Sequence, residues 1–111
     1  MERIKQYIRQ ALSWLKQLFC RIINGVLSFV RHIVGWFQSL NLNKNQDIPF
    51  IADKEMLKEK LKNAPVKNVG IFKGVYNQET DEITHSEYVT ADNVDEETLK
   101  VMGDEELVVL T

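Results

Sequence analysis

Residues that carry chemistry are scarce in this 111-residue chain. Its one cysteine, Cys20, cannot close an intramolecular disulfide. The two histidines, His32 and His85, lie far apart and do not give the ligand spacing of a zinc site. No glycine-rich phosphate loop precedes a predicted helix, and no serine lies in a pattern that predicts a nucleophile. The sequence therefore predicts no enzyme, no metal, no cofactor and no small-molecule substrate.

Long uncharged stretches are also lacking. Residues 18–37 are long enough to cross a bilayer but include Arg21 and Arg31, and each arginine costs about 2.5–3.5 kcal/mol at the bilayer centre. The first turns hold several basic residues and no short uncharged segment typical of a signal peptide. We therefore expect a cytoplasmic protein that is peripheral at a membrane. An oligomer whose basic faces line a pore is an alternative that would insert.

Charge is distributed unevenly along the chain. Residues 1–40 contain six Lys or Arg and one Glu, a formal charge of +5, whereas residues 41–111 contain eight Lys and fifteen acids, a charge of −7. Such asymmetry is typical of a basic arm that meets an anionic surface. Alternatively, the two halves neutralise each other within one molecule or between copies. Nucleic-acid binding is not expected, because it usually requires a denser basic patch.

The pattern of residues 2–40 predicts one long amphipathic helix. Apolar residues recur at steps of three and four, and the pattern also repeats every eleven residues. Such a repeat is close to that of a straight helix, so a left-handed coiled coil fits poorly. The turn signal Asn24-Gly25 predicts either a kink or a helical hairpin at that point. Eleven-residue amphipathic repeats are similar to those of lipid-surface proteins in general.

The two faces of this predicted helix supply the candidate binding residues. Apolar side chains would contact a membrane or a protein partner, with tryptophans at the boundary and basic side chains on an anionic surface. The predicted apolar contacts are Ile4, Ile8, Trp14, Leu15, Leu18, Ile22, Val26, Phe29, Ile33, Trp36 and Phe37. The predicted anionic-surface contacts are Arg3, Lys5, Arg9, Lys16 and Arg21.

A polar linker at residues 41–47 separates this segment from a predicted small acidic domain at residues 48–111. The predicted elements of that domain are a helix over 54–63 stopped by Pro65, strands over 66–76 and 82–90, a helix over 94–102 capped by Asp92 or Asn93, and a buried strand over 107–110. The fold class is therefore α+β, a long N-terminal helix followed by a small α-β-β-α-β domain. Since so small a core is marginal, docking of part of the N-terminal helix on the sheet is a further expectation.

Three functions fit this pattern. The first is a non-enzymatic interaction protein whose cationic helix binds an anionic membrane surface and presents the acidic module to a protein partner. The second is a self-assembling structural or scaffolding protein in which the same helix packs against copies of itself. The third is an oligomeric membrane pore. All three use the same apolar face, so the surface that buries this face decides between them.

Overall fold

The fold is a five-stranded mixed sheet with short helices. A computed structural model describes residues 2–16, 18–62 and 67–110. The strands are β1 (Cys20–Leu27), β2 (Asp47–Asp53), β3 (Val69–Asn77), β4 (Glu82–Val94) and β5 (Leu107–Val109). The helices are α1 (Glu2–Ser13), α2 (Gly35–Gln38) and α3 (Glu96–Met102). A π-helical turn, Phe29–Val34, leads into α2, and a 3-10 turn, Lys54–Leu57, follows β2.

The strands lie in the order β1-β4-β3-β2-β5. β2, β3 and β4 are antiparallel neighbours, and β5 pairs antiparallel with β2. β1 pairs parallel with β4, with Cys20 opposite Tyr88 and Leu27 opposite Val94. β1 and β5 are therefore the two edges of the sheet, and β3 is its centre.

Helical segments cover both faces of the sheet. On one face, Ile8 and Leu12 of α1 pack with Phe50 and Phe72 of the central strands. On the other face, Ile33 of the π-helical turn and Met102 of α3 pack in a second core cluster. Because both faces of the central strand are covered, β3 is buried continuously over residues 70–76. The result is a three-layer arrangement with apolar cores above and below the sheet.

The predicted long N-terminal helix is wrong. The helix ends at Ser13, and residues 20–27 form an edge strand instead. The β-branched residues Ile22, Ile23 and Val26 favour an extended chain, which the pairing with β4 stabilises. The predicted kink or helical hairpin at Asn24-Gly25 is also wrong, because the strand register shifts there and Gly25 adopts a φ of 125°. This is a β-bulge, for which a glycine is the favoured residue.

The second half of the chain differs in its first element. Residues 54–57 form a 3-10 turn where a helix was expected, and the predicted end of that helix, with Pro65, lies outside the described residues. β2 was not predicted: Asp47 was the last residue of the predicted linker, and residues 48–53 were assigned to no helix or strand. β3, β4 and β5 lie close to the predicted strands. α3 begins after Asp95, which caps it in place of the predicted Asp92 or Asn93.

Candidate functional site

The connection between α1 and β1 exposes two aromatic side chains. Trp14 and Phe19 are each 63% exposed, the highest value among the exposed large hydrophobic residues of the described chain. Exposed aromatic residues beside basic ones are typical of contacts with a membrane interface or with a protein partner. Lys16 and Arg21 are also exposed. We call Trp14, Lys16, Phe19 and Arg21 the connection residues.

Several contacts fix the backbone of this connection. The N–H groups of Trp14 and Leu15 donate to carbonyl oxygens in the last turn of α1, at 3.1 Å each. The Leu15 carbonyl in turn accepts a hydrogen bond from Lys60 Nζ at 2.7 Å, and the Phe19 carbonyl accepts one from the Tyr88 N–H at 2.8 Å. Leu15 and Leu18 pack against the core cluster beneath α1. The fold therefore anchors the leucines of the connection inward and leaves Trp14 and Phe19 in solvent.

Exposed apolar residues are concentrated in the basic part of the chain. Six of the seven exposed large hydrophobic residues of the described chain lie within residues 1–40, and the seventh is Leu99 on α3. The six are Tyr7, Trp14, Phe19, Ile22, Val26 and Val30. Ile22 and Val26 lie on β1, the open edge of the sheet. The net positive charge and most of the exposed large hydrophobic residues thus occur in the same segment, residues 1–40.

The structure separates the predicted apolar contacts into three groups. Ile8 and Ile33 are fully buried, each in a different core cluster. The exposed members are Trp14, Ile22 and Val26. The partly buried members are Ile4, Leu15, Leu18, Phe29, Trp36 and Phe37. Burial of Ile8 and Ile33 is complete within this fold, so a surface contact can use only the remaining residues.

The predicted anionic-surface contacts are mostly exposed. Arg3, Arg9, Lys16 and Arg21 are exposed, whereas Lys5 is partly buried and lies 3.6 Å from Glu105. The helix α1 carries three of these residues, Lys16 lies in the α1–β1 connection and Arg21 lies at the start of β1. Of the predicted contacts, Trp14, Lys16 and Arg21 are therefore exposed and lie within eight residues of one another in the chain.

A buried cationic side chain on the other face of the sheet was not predicted from the sequence. Lys73 of β3 has no exposed surface, and its Nζ donates to Glu87 Oε1 at 2.7 Å and to the His32 carbonyl at 2.8 Å. Its Nζ also lies 4.6 Å from the centroid of the Trp36 ring. A lysine in the middle of an apolar strand, with an acid on the next strand, is the signal that could have indicated it.

The electrostatics of this cluster follow from burial. Burial lowers the pKa of Lys73 from its usual value, and the hydrogen bond and charge of Glu87 oppose that shift. Burial, with the charges of Arg21, Arg31 and Lys73, also lowers the pKa of His32. The His32 Nδ1 atom accepts a hydrogen bond from the Ser28 N–H at 2.8 Å, so this nitrogen carries no proton. Through its bonds to the His32 carbonyl and to Glu87, Lys73 ties the π-helical turn to the sheet.

A further set of polar contacts secures the bulge in β1. Asp92 accepts hydrogen bonds from the Gly25 N–H at 2.9 Å and from Lys67 Nζ at 3.1 Å. Lys67 Nζ also donates to the Asn24 side chain at 2.8 Å. The hydrogen bonds from Lys67 and from the Gly25 N–H lower the pKa of Asp92 below its usual value. Across the described ranges, no group of three or more His, Cys, Asp or Glu residues has the arrangement of a metal site.

Comparisons with family models, curated proteins and solved structures found no match to this chain. Within the described residues, no helix combines the length and apolar character needed to cross a bilayer.

Proposed function

We propose that this is a non-enzymatic interaction protein that attaches to an anionic membrane surface through the connection residues and presents an acidic module to a protein partner. The observation that carries the proposal is that Trp14, Lys16, Phe19 and Arg21 are all exposed within eight residues of the chain. Residues 48–111, with seven Lys and fourteen acids and so a charge of −7, supply the acidic module.

The connection residues suit a shallow contact with lipid headgroups. Indole and phenyl rings partition to the membrane interface, and long basic side chains reach lipid phosphates from there. Each Lys or Arg near an anionic surface contributes about 1 kcal/mol, and this attraction weakens as salt is added. The apolar face of α1 is already packed on the sheet. Attachment through the connection therefore leaves the core intact.

Vesicle sedimentation tests the proposal. At low salt, we expect the full chain to sediment with phosphatidylglycerol vesicles and to remain largely in the supernatant with phosphatidylcholine vesicles. Moderate salt should reduce the bound fraction, since the attraction is partly electrostatic. If the wild-type protein stays in the supernatant with phosphatidylglycerol vesicles at low salt, the proposal is overturned.

Matched variants locate the contact. Replacing Trp14 and Phe19 together by alanine should abolish most of the binding, because both rings are exposed and their loss leaves the core unchanged. Leu99→Ala is the control, since Leu99 is 59% exposed on α3, outside the basic segment. For charge, Lys16→Gln with Arg21→Gln should weaken binding, whereas Lys100→Gln should not. Equal losses in the test and control variants would contradict the assignment of the surface.

Self-association through the outer edge of β1 is a second candidate. The Phe19 carbonyl accepts a hydrogen bond from β4. Along a strand, the N–H and C=O groups of successive residues point to opposite sides. The N–H and C=O groups of Cys20 and Ile22 therefore point away from the sheet. An open edge with the exposed side chains of Ile22 and Val26 is a template for another strand. Sedimentation velocity without lipid tests it: a dimer that Ile22→Lys converts to monomer supports this candidate, and a wild-type monomer at high concentration contradicts it.

A further inference from the structure

A small cavity lined by three aromatic side chains lies between α1 and the turn that joins β3 to β4. Its volume is about 190 Å³, and its lining residues are Tyr7, Gln10, Trp14, Tyr76 and Asp81. Tyr7 lies on α1, and Trp14 is the first residue after α1, where its N–H donates to the Ala11 carbonyl at 3.1 Å. Tyr7 is 45% exposed and Trp14 63% exposed, although the neighbouring residues Ile8, Ala11 and Leu12 are buried.

The floor of the cavity is a tyrosine bonded to a carboxylate. Tyr76, on β3, is almost fully buried, and its hydroxyl donates to Asp81 Oδ1. Asp81 adopts a left-handed conformation with a φ of 58°, and its N–H donates to the Asn77 carbonyl at 2.9 Å. The turn thus places the carboxylate in the same cavity lining as the rings of Tyr7 and Trp14. Burial and the bond to Asp81 raise the pKa of Tyr76 to about 12, so its hydroxyl keeps its proton and the bond at neutral pH.

The charge around this cavity is negative. In the part of the chain that the structure describes, no Lys or Arg forms an ion pair with Asp81. A neighbouring cavity of about 260 Å³ shares Trp14 and Asp81, and its lining includes one cation, Lys16, and a second acid, Glu82. Two carboxylates against one ammonium leave a surplus of negative charge beside the aromatic faces.

We infer that this cavity binds a quaternary ammonium group, such as that of choline. Aromatic faces attract cations through their quadrupole, and cages of several rings recognise quaternary and methylated ammonium ions. A carboxylate beside the rings adds Coulomb attraction for the cation. A methylated ammonium is less strongly hydrated than the primary ammonium of lysine, so it enters an aromatic cavity at a lower desolvation cost. The same kind of contact occurs within the fold, where Lys73 Nζ lies 4.6 Å from the Trp36 ring centroid.

Titration of the full chain with tetramethylammonium chloride, followed by NMR, tests this inference. Sodium chloride at equal ionic strength is the salt control, and 3,3-dimethylbutan-1-ol is a neutral compound of similar shape. We expect saturable shifts of the Trp14 indole N–H and the Asp81 amide with tetramethylammonium only, with a dissociation constant in the millimolar range. Equal shifts with the neutral alcohol, or shifts that do not saturate, would overturn the inference.

Two pairs of variants keep the test independent of folding. Trp14→Ala and Asp81→Asn should each weaken binding about tenfold, because one removes a ring and the other the charge. Asparagine accepts the Tyr76 hydrogen bond and tolerates the left-handed conformation, so Asp81→Asn preserves the turn. Phe19→Ala and Glu79→Gln are the controls, since these exposed residues lie outside the cavity lining. Unchanged affinity in both test variants contradicts the inference.

Competition distinguishes a free cation from a lipid headgroup. Choline should displace tetramethylammonium if the ligand is a soluble cation, and phosphatidylcholine vesicles should displace it if the cavity also admits a headgroup. Displacement by either one supports the inference, and displacement by neither contradicts it. Tetramethylammonium contains no bilayer, so this test can succeed where the sedimentation test of membrane attachment fails, and the reverse.

Discussion

Lys73 and Glu87 lie directly opposite each other on β3 and β4, and their Nζ and Oε1 atoms are 2.7 Å apart. The lysine has no exposed surface, whereas the glutamate side chain is 24% exposed. The pair therefore places a buried cation beside an anion that still touches water. Loss of the Glu87 charge should therefore destabilise the buried Lys73 ammonium more than loss of the Lys73 charge destabilises the Glu87 carboxylate.

Removing the negative charge should destabilise the fold more than removing the positive one. Glu87→Gln leaves the Lys73 ammonium buried without a counter-ion, and we expect a loss of about 2–3 kcal/mol in the free energy of unfolding. Lys73→Met keeps an apolar stem of similar length, so its cost should be below about 1 kcal/mol. Urea denaturation of both variants measures the difference. Glu105→Gln is the control: the Glu105 side chain, paired with Lys5 at 3.6 Å, is 64% exposed, so its loss should change stability by less than about 0.5 kcal/mol.

Gly70 has no room for a side chain. A Cβ atom there would lie 1.9 Å from the Tyr88 hydroxyl oxygen and 2.4 Å from its Cζ. Gly70→Ala should therefore cost about 3 kcal/mol through overpacking. Gly35→Ala is the matched control, because a Cβ there would meet only the Val30 carbonyl at 3.4 Å and alanine is favoured in a helix by about 1 kcal/mol. Thermal unfolding should show opposite signs for the two variants, and a tolerated Gly70→Ala would contradict the packing.

The Tyr88 hydroxyl is buried, and no hydrogen-bond partner lies near it in the described part of the chain. Burial raises the pKa of Tyr88 to about 12. Tyr88→Phe removes this unpaired group, and we expect the protein to gain about 1 kcal/mol of stability. It should also reduce the cost of Gly70→Ala, since the nearest clashing atom is gone. A four-variant cycle in urea measures this coupling, and purely additive effects would show that the two residues do not interact.

Asp95 should make stability depend on acid pH. Its carboxylate accepts bonds from the Thr98 N–H at 3.0 Å, from the Thr98 hydroxyl and from the Phe29 N–H at 3.0 Å. Burial opposes ionisation, but these hydrogen bonds outweigh it and lower the pKa of Asp95. The stabilisation is present above the unfolded-state pKa of about 3.9 and is lost as the pH falls through the lower folded-state value.

The variants of this cap separate hydrogen bonding from charge. Asp95→Ala should cost about 1–2 kcal/mol at pH 7 through loss of the α3 cap. Asp95→Asn keeps an acceptor and should lose less stability at pH 7, with a weaker decline below pH 4. Guanidinium denaturation from pH 3 to pH 7 gives both curves. Parallel curves for wild type and Asp95→Asn would contradict the role of the charge.

Local signals in the sequence predicted the second half of the fold better than the first. The turn after Asn77 and the alternation around it predict a hairpin, and β3 and β4 lie there. The eleven-residue pattern predicted a helix through residues 20–27 because Ile22, Ile23 and Val26 satisfy a helical face as well as a strand. Only the pairing of β1 with β4, about 68 residues away, decides between them. Such non-local pairing overrides local periodicity.

The candidate site also contains residues that sequence patterns indicated and residues that only the three-dimensional structure reveals. Trp14 and Lys16 were predicted as contacts from their places on the faces of a long helix, and that helix ends at Ser13, before both residues. Phe19 was not among the predicted contacts, since its exposure depends on where the helix ends and β1 begins. The cavity at Tyr76 and Asp81 was not predicted either, because it needs the β3–β4 turn to meet α1 in space.

The parallel pairing of β1 with β4 has a consequence during synthesis on the ribosome. Leu27 of β1 pairs with Val94, so about 67 further residues must be synthesised before β1 can pair with β4. At about 5–20 residues per second, this is roughly 3–13 seconds. Throughout that interval, residues 20–27 belong to a nascent chain in which the strand that pairs with them has not yet been made. Any chaperone that binds exposed apolar segments of a nascent chain would therefore meet residues 20–27 before β4 does.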